Sequence, residues 1–127
     1  NNLAIGGTTG SSTLTITGSN TFGTLSSSKT VAHTITFTAG TTTTVSGWTV
    51  KGTLGNLVTL NSSSAGTPAN LIISPTAIVP GLNYLSIQDS AASPSNVWFA
   101  GANSTDVSGN SGWIFSNYSP GNFLALF

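Results

Sequence analysis

HTITFT, residues 33–38, alternates polar and apolar side chains without a break. Successive side chains of a strand point to opposite faces, so Ile35 and Phe37 face one way and the threonines the other. The same rhythm recurs in TLTIT (13–17), where Leu14 and Ile16 share a face, and in YLSIQD (84–89), where Leu85 and Ile87 do. Further strand-like runs read Thr43–Val50, Leu57–Asn61, Asn70–Ser74, Asn96–Ala100 and Gly112–Phe115. Gly, Ser, Asn and Pro punctuate the gaps, as at Gly6-Gly7, Ala39-Gly40, Ser64-Ala65-Gly66 and Pro80-Gly81. Glu, Arg and Met are absent, and no stretch repeats at 3.6 residues, so nothing reads as a helix.

Two all-β architectures fit this rhythm. A right-handed parallel β-helix stacks short strands coil on coil and lines its outer face with Thr, Ser and Asn. An antiparallel β-sandwich has turn signals at similar spacing and is the alternative. The solenoid is the first choice. The strands are short, their outward positions carry hydroxyls instead of charges, and TLTIT precedes TITFT by about one coil. No Asn-Gly or Asp-Gly pair links two strands, although that is the strongest short hairpin signal. Residues 1–115 read as the solenoid domain and 116–127 as an apolar C-terminal arm. The opening NNLAIGG resembles the end of a coil, and the lack of Met is expected of a processed chain or a piece of a longer one.

Composition narrows the function. Of 127 residues only 3% are charged, against about 25% in an ordinary soluble domain. Lys29, Lys51, Asp89 and Asp106 are the whole set, and His33 is the only imidazole. Phosphate recognition needs clustered Lys or Arg, so nucleic acid is not an expected partner. No apolar run approaches the ~20 residues of a membrane-spanning helix, and no membrane partner is expected. Without cysteine there is neither a disulfide nor a thiolate metal site. A chain with no net charge has little protection against self-association, so homo-oligomers and neighbouring structural subunits are the expected partners.

No catalytic residue, metal ligand or cofactor site is assigned. Two carboxylates flanking a bond are needed for glycoside hydrolysis, and only Asp89 and Asp106 are present. Both fall in turn-like surroundings. A Ser/His/Asp triad would have to use His33, and no G-x-S-x-G elbow occurs. A calcium loop built on Asn103, Asp106 and Asn110 offers one carboxylate where tight sites gather several. The sequons at Asn61, Asn103 and Asn117 are expected by chance in a chain so rich in Ser, Thr and Asn.

Aromatic residues are the best ligand candidates. Trp48, Tyr84 and Tyr118 are expected to stack on surface glycans if they line an open face, whereas Trp98 and Trp113 read as core. The run Thr41–Thr44 suggests the threonine arrays of ice-binding solenoids, but such arrays need T-x-T on successive coils, and no such register is visible in the sequence. Phe123, Leu124, Leu126 and Phe127 form an apolar end suited to an assembly contact.

The segment from Thr34 to Phe115 resembles modules that recur in bacteriophage structural proteins and in some bacterial surface proteins. Four steps carry the resemblance: F-x-A-G-T-T at Phe37–Thr42, V-T-L-x-S-x-x-x-G-T at Val58–Thr67, L-x-I-x-D-S at Leu85–Ser90, and W-x-A-G … G-N-x-G-W-x-F at Trp98–Phe115. The resemblance covers about two-thirds of the chain. It implies a β-solenoid-like fold and a non-catalytic structural or host-contact role on a virion or an extracellular surface. The expectation is a capsid decoration or tail/fibre component. A carbohydrate-binding adhesin module and a subunit of an extracellular filament or pilus are the alternatives.

Overall fold

The computed structural model describes residues 1–74, 77, 79 and 83–117. Tyr118, Phe123, Leu124, Leu126, Phe127 and most of the expected arm lie outside these residues. Among the described residues twelve strands are present: β1 (Leu3–Ile5), β2 (Thr13–Ile16), β3 (Asn20–Ser27), β4 (His33–Phe37), β5 (Thr42–Val50) and β6 (Val58–Ser62). They continue with β7 (Ala69–Ile73), β8 (Leu85–Gln88), β9 (Ser90–Ser93), β10 (Trp98–Phe99), β11 (Thr105–Ser108) and β12 (Trp113–Ile114).

Every pairing between these strands is parallel. One sheet runs β1-β3-β5-β7-β9, a second β2-β4-β6-β8-β11, and β10 pairs β12 on a third side. The chain alternates between the first two sheets, so each circuit lays one strand on each. The result is a β-solenoid of about four turns, and the antiparallel sandwich does not form. Backbone bonds extend the third side: Gly52 N–H donates to Asn83 O, Asn83 N–H to Ala100 O, and Gly101 N–H to Ser116 O.

The strands form because their apolar residues repeat every second position and meet like residues on the next coil. Leu14, Ile35, Leu60 and Ile87 stack in register, as do His33, Val58 and Leu85 on the same sheet. On the facing sheet Leu3, Leu25 and Trp48 stack, and beside them Ile5, Ser27 and Val50. Leu25, Ile35, Val50, Val58, Leu85 and Ile87 are fully buried. Coil-to-coil pairing also satisfies most strand N–H and C=O groups, which explains how hydroxyl-rich, weakly apolar segments join the sheets.

β1, β3, β9 and β11 were not expected from the sequence. β9 reads SAAS and β11 reads TDVS, with too little apolar alternation to announce a strand. Their pairing is imposed by the neighbouring coil: Asn70 on Ala91, and Ser86 on Thr105.

Candidate functional site

The inner face at the N-terminal end is open. Leu3, Ile5, Leu14, Lys29 and His33 line a cavity of about 390 Å³ there. β1 and β2 are the terminal strands of their sheets, so both present a row of unpaired backbone groups at this end. Leu14 remains 37% exposed although its register partners Ile35 and Leu60 are sealed in the core. Lys29 Nζ donates to Thr9 O at 2.7 Å at the rim.

His33 and Ser27 close the floor of this end. His33 Nδ1 lies 2.8 Å from Val31 O and Nε2 lies 2.7 Å from Ser27 Oγ. A carbonyl only accepts, so Nδ1 carries the proton, and in the neutral ring Nε2 accepts from the Ser27 hydroxyl. This is the hydrogen-bond order of a nucleophile and its base. The third member is a backbone carbonyl, not a carboxylate, and Ser27 is 2% exposed, so no acyl group reaches its oxygen. The pair ties the end of β3 to the start of β4 across the corner between sheets.

Asp89 sits at a corner, whereas Asp106, expected in a turn, lies in strand β11, where pairing with β8 extends the chain. Asp89 lies between β8 and β9 at φ 53°, a left-handed conformation that Asp tolerates better than most residues. Its Oδ2 accepts from Gly66 N–H on the preceding coil at 2.9 Å. Asn110 Nδ2 donates to Asp106 Oδ1 and to Ile87 O, and its Oδ1 accepts from Ser90 N–H. Asn110 is thereby committed to the backbone. Asn103 N–H donates to Asn83 Oδ1. Among the described residues no group of three or more His, Cys, Asp or Glu gathers.

The aromatic candidates divide. Trp48 is 3% exposed and belongs to the core, which corrects the expectation that it stacks on glycans. Its ring packs edge-on to Trp98 (5.3 Å between centroids) and Trp113 (6.2 Å), and is tilted against Phe37 (6.4 Å). The alternation in β5 slips by one residue: Thr43, Val45, Trp48 and Val50 are all buried, with Ser46 and Gly47 between. Strict alternation from Val45 would have turned Trp48 outward. Trp98 and Trp113 are buried as expected, with Nε1–H donating to Ser93 O and to Ser90 Oγ. Trp48 Nε1–H finds no acceptor among the described residues. That orphan costs about 1–3 kcal/mol, and edge-on contacts worth about 0.5–1.5 kcal/mol each offset it. Tyr84 is half-buried at φ 60°, and its carbonyl accepts from Val58 N–H.

The outward face of the second sheet carries an arrangement that the sequence concealed. Thr13, Thr34, Thr59, Ser86 and Thr105 stand in register on five successive strands, and Thr15, Thr36 and Asn61 form a second column two residues along. T-x-T therefore recurs on β2 and β4 and gives way to T-L-N on β6 and S-I-Q on β8, which corrects in part the expectation that no such register exists. It was hidden by unequal coil lengths, since those first-column residues lie 21, 25, 27 and 19 positions apart. The run Thr41–Thr44 lies elsewhere: Thr42–Thr44 belong to β5 of the first sheet, where Thr43 faces the core and is 1% exposed.

Comparison of the chain with protein-family models, with curated proteins and with solved structures found no match in any of the three.

Proposed function

We propose that this chain is a non-catalytic structural module of an extracellular assembly, most concretely a virion component of the capsid-decoration or tail/fibre kind. The observation that carries the assembly reading is the open N-terminal end. Unpaired strand edges on two sheets, an apolar cavity and a partly exposed Leu14 coincide there. Natural proteins usually blunt such edges with charge, Pro or a covering segment. The four charged residues do little here: Asp89 is buried and Lys29 alone reaches the cavity rim. The phage attribution rests on the resemblance of the Phe37–Phe115 steps to phage structural modules.

The chemistry of the interior supports a structural role. His33, Asp89 and Asn110 each bond corner or turn backbone, Ser27 holds the His33 ring, and the aromatic volume fills the coil interior. With Trp48 in the core, the adhesin reading loses its leading platform.

Sedimentation velocity of the whole chain over a wide concentration range tests the proposal. Association that grows with concentration and is abolished by Leu14→Lys is the expected result. A monodisperse monomer at high concentration contradicts it.

A further inference from the structure

Thr13 and Thr34 border the open end on which the assembly reading depends, but the outward columns of the second sheet run on from there along the side of the stack to Thr59 and Ser86. Thr is branched at Cβ and stiff at χ1, so each residue holds a hydroxyl and a methyl in a near-fixed orientation. Parallel pairing sets the spacing along the stack at about 4.8 Å, and two residues along a strand span about 6.6 Å. The register between β2, β4, β6 and β8 runs without a bulge; the first irregularity comes at β11, between Asp106 and Ser108. The result is one column of four hydroxyls, Thr13, Thr34, Thr59 and Ser86, flanked by a second of Thr15, Thr36, Asn61 and Gln88 in which Thr36 Oγ1 donates to Asn61 Oδ1, with repeats close to those of water oxygens in the faces of ice.

A second, independent feature points to the same ligand. Charged groups orient water radially and disrupt a lattice, and the outward positions of this sheet hold none. Thr13, Thr15, Thr34, Thr36, Thr59, Asn61, Ser86 and Gln88 are all neutral. Asp106 is exposed, but it lies on the terminal strand β11 in register with Ile87 and so outside the Thr/Ser column, and Lys29 and Lys51 lie outside the strands. A polysaccharide surface would call for exposed aromatic platforms, yet Trp48, Trp98 and Trp113 are all buried.

We infer that the outward face of β2, β4, β6 and β8 binds the surface of ice, through water ordered on its hydroxyl column and the amide-and-hydroxyl column beside it. The other outer face lacks this regularity. There Thr21 and Thr44 lead to Ile72, and Thr24 pairs with Gly47.

Partition of the fluorescently labelled whole chain into a slowly grown ice hemisphere is the test. The unmodified protein is expected to be incorporated. Thr34→Lys/Thr59→Lys is expected to be excluded like an inert globular protein, while Thr49→Lys, on the first sheet, is incorporated as before. Circular dichroism and the melting temperature establish that each variant is folded. If the double variant is not, Thr13→Lys/Thr15→Lys, at two exposed positions, takes its place with the same expected loss. Exclusion of the unmodified protein overturns the inference, as does equal incorporation of all variants. Retention on crystalline chitin or cellulose together with exclusion from ice would assign the face to glycans instead, and also overturns it. Association in the sedimentation test is read separately, so either proposal can fail alone.

Discussion

Two leucines in one register column provide a sharp test of how the solenoid is held together. Leu60 is 1% exposed in the middle of the stack, and Leu14, two coils away, is 37% exposed at the open end. The chemical change to Ala is identical at both. At Leu60 the lost transfer energy is joined by an enclosed cavity, because the coils above and below cannot both collapse into it, so the cost falls at about 2–5 kcal/mol. At Leu14 part of the side chain is already in water and one side of the site is open. Only a fraction of the ~1.5–3 kcal/mol for burying a leucine is lost, roughly 1–1.5 kcal/mol, with no cavity to add. Nearest-neighbour coupling in a solenoid confines each effect to adjoining coils, so the comparison reads depth in the stack. Urea unfolding followed by circular dichroism, at protein concentrations low enough to avoid association, gives both values. Leu60→Ala is expected to cost at least about 1 kcal/mol more than Leu14→Ala. Equal costs, or a larger cost at Leu14, would refute the placement of the core.

Three further substitutions probe other features. Gly112→Ala places a Cβ onto the carbonyl oxygen of Ala92 at φ 78° and is expected to cost about 2 kcal/mol or more, whereas Gly55→Ala, at φ 80° with open space around it, costs only the left-handed penalty of about 1 kcal/mol. Ser27→Ala strands His33 Nε2 in the core and is expected to lose about 1–3 kcal/mol in the same urea assay. Trp48→Phe gives up ring area but removes an N–H without an acceptor, so it is expected to fall within about 1 kcal/mol of the unmodified protein, while Trp48→Ala costs about 3–5 kcal/mol.

Much of the fold was legible where alternation was strict. TLTIT, HTITFT and YLSIQD each contribute an inward pair, and those pairs are the residues that stack between coils. The sequence was less informative wherever pairing is imposed by a neighbour. SAAS becomes β9 because Ala69–Ile72 offers it an edge, not because its own residues favour a strand. NTFGTLSS was passed over for a related reason: Gly23 interrupts it, and its buried Ser27 serves His33 instead of water.

The surface features were the hardest to read. A fixed-period search cannot align threonines whose spacing drifts from 19 to 27 residues, and only the hydrogen-bond register brings Thr13, Thr34, Thr59 and Thr105 into one column. Trp48 was misplaced because the slip at Ser46-Gly47 reverses the side from which its ring emerges. Asp89 ends β8 as expected, although it reaches back to Gly66 on the preceding coil instead of to the backbone just ahead, whereas Asp106, expected in a turn, lies in β11 because that segment pairs with β8. The opening residues, read as the end of a coil, supply β1 and the lining of the open end.

Every conclusion about the core, the open end and the hydroxyl columns depends on one register, and a distance measurement addresses it directly. Spin labels on Thr13→Cys and Thr105→Cys, in a chain with no other cysteine, sit four strand steps apart on the same outward column. At about 4.8 Å per step, double electron–electron resonance should return one narrow distance near 19 Å. A broad distribution, or a distance well beyond that value, would contradict the parallel stack and the column with it.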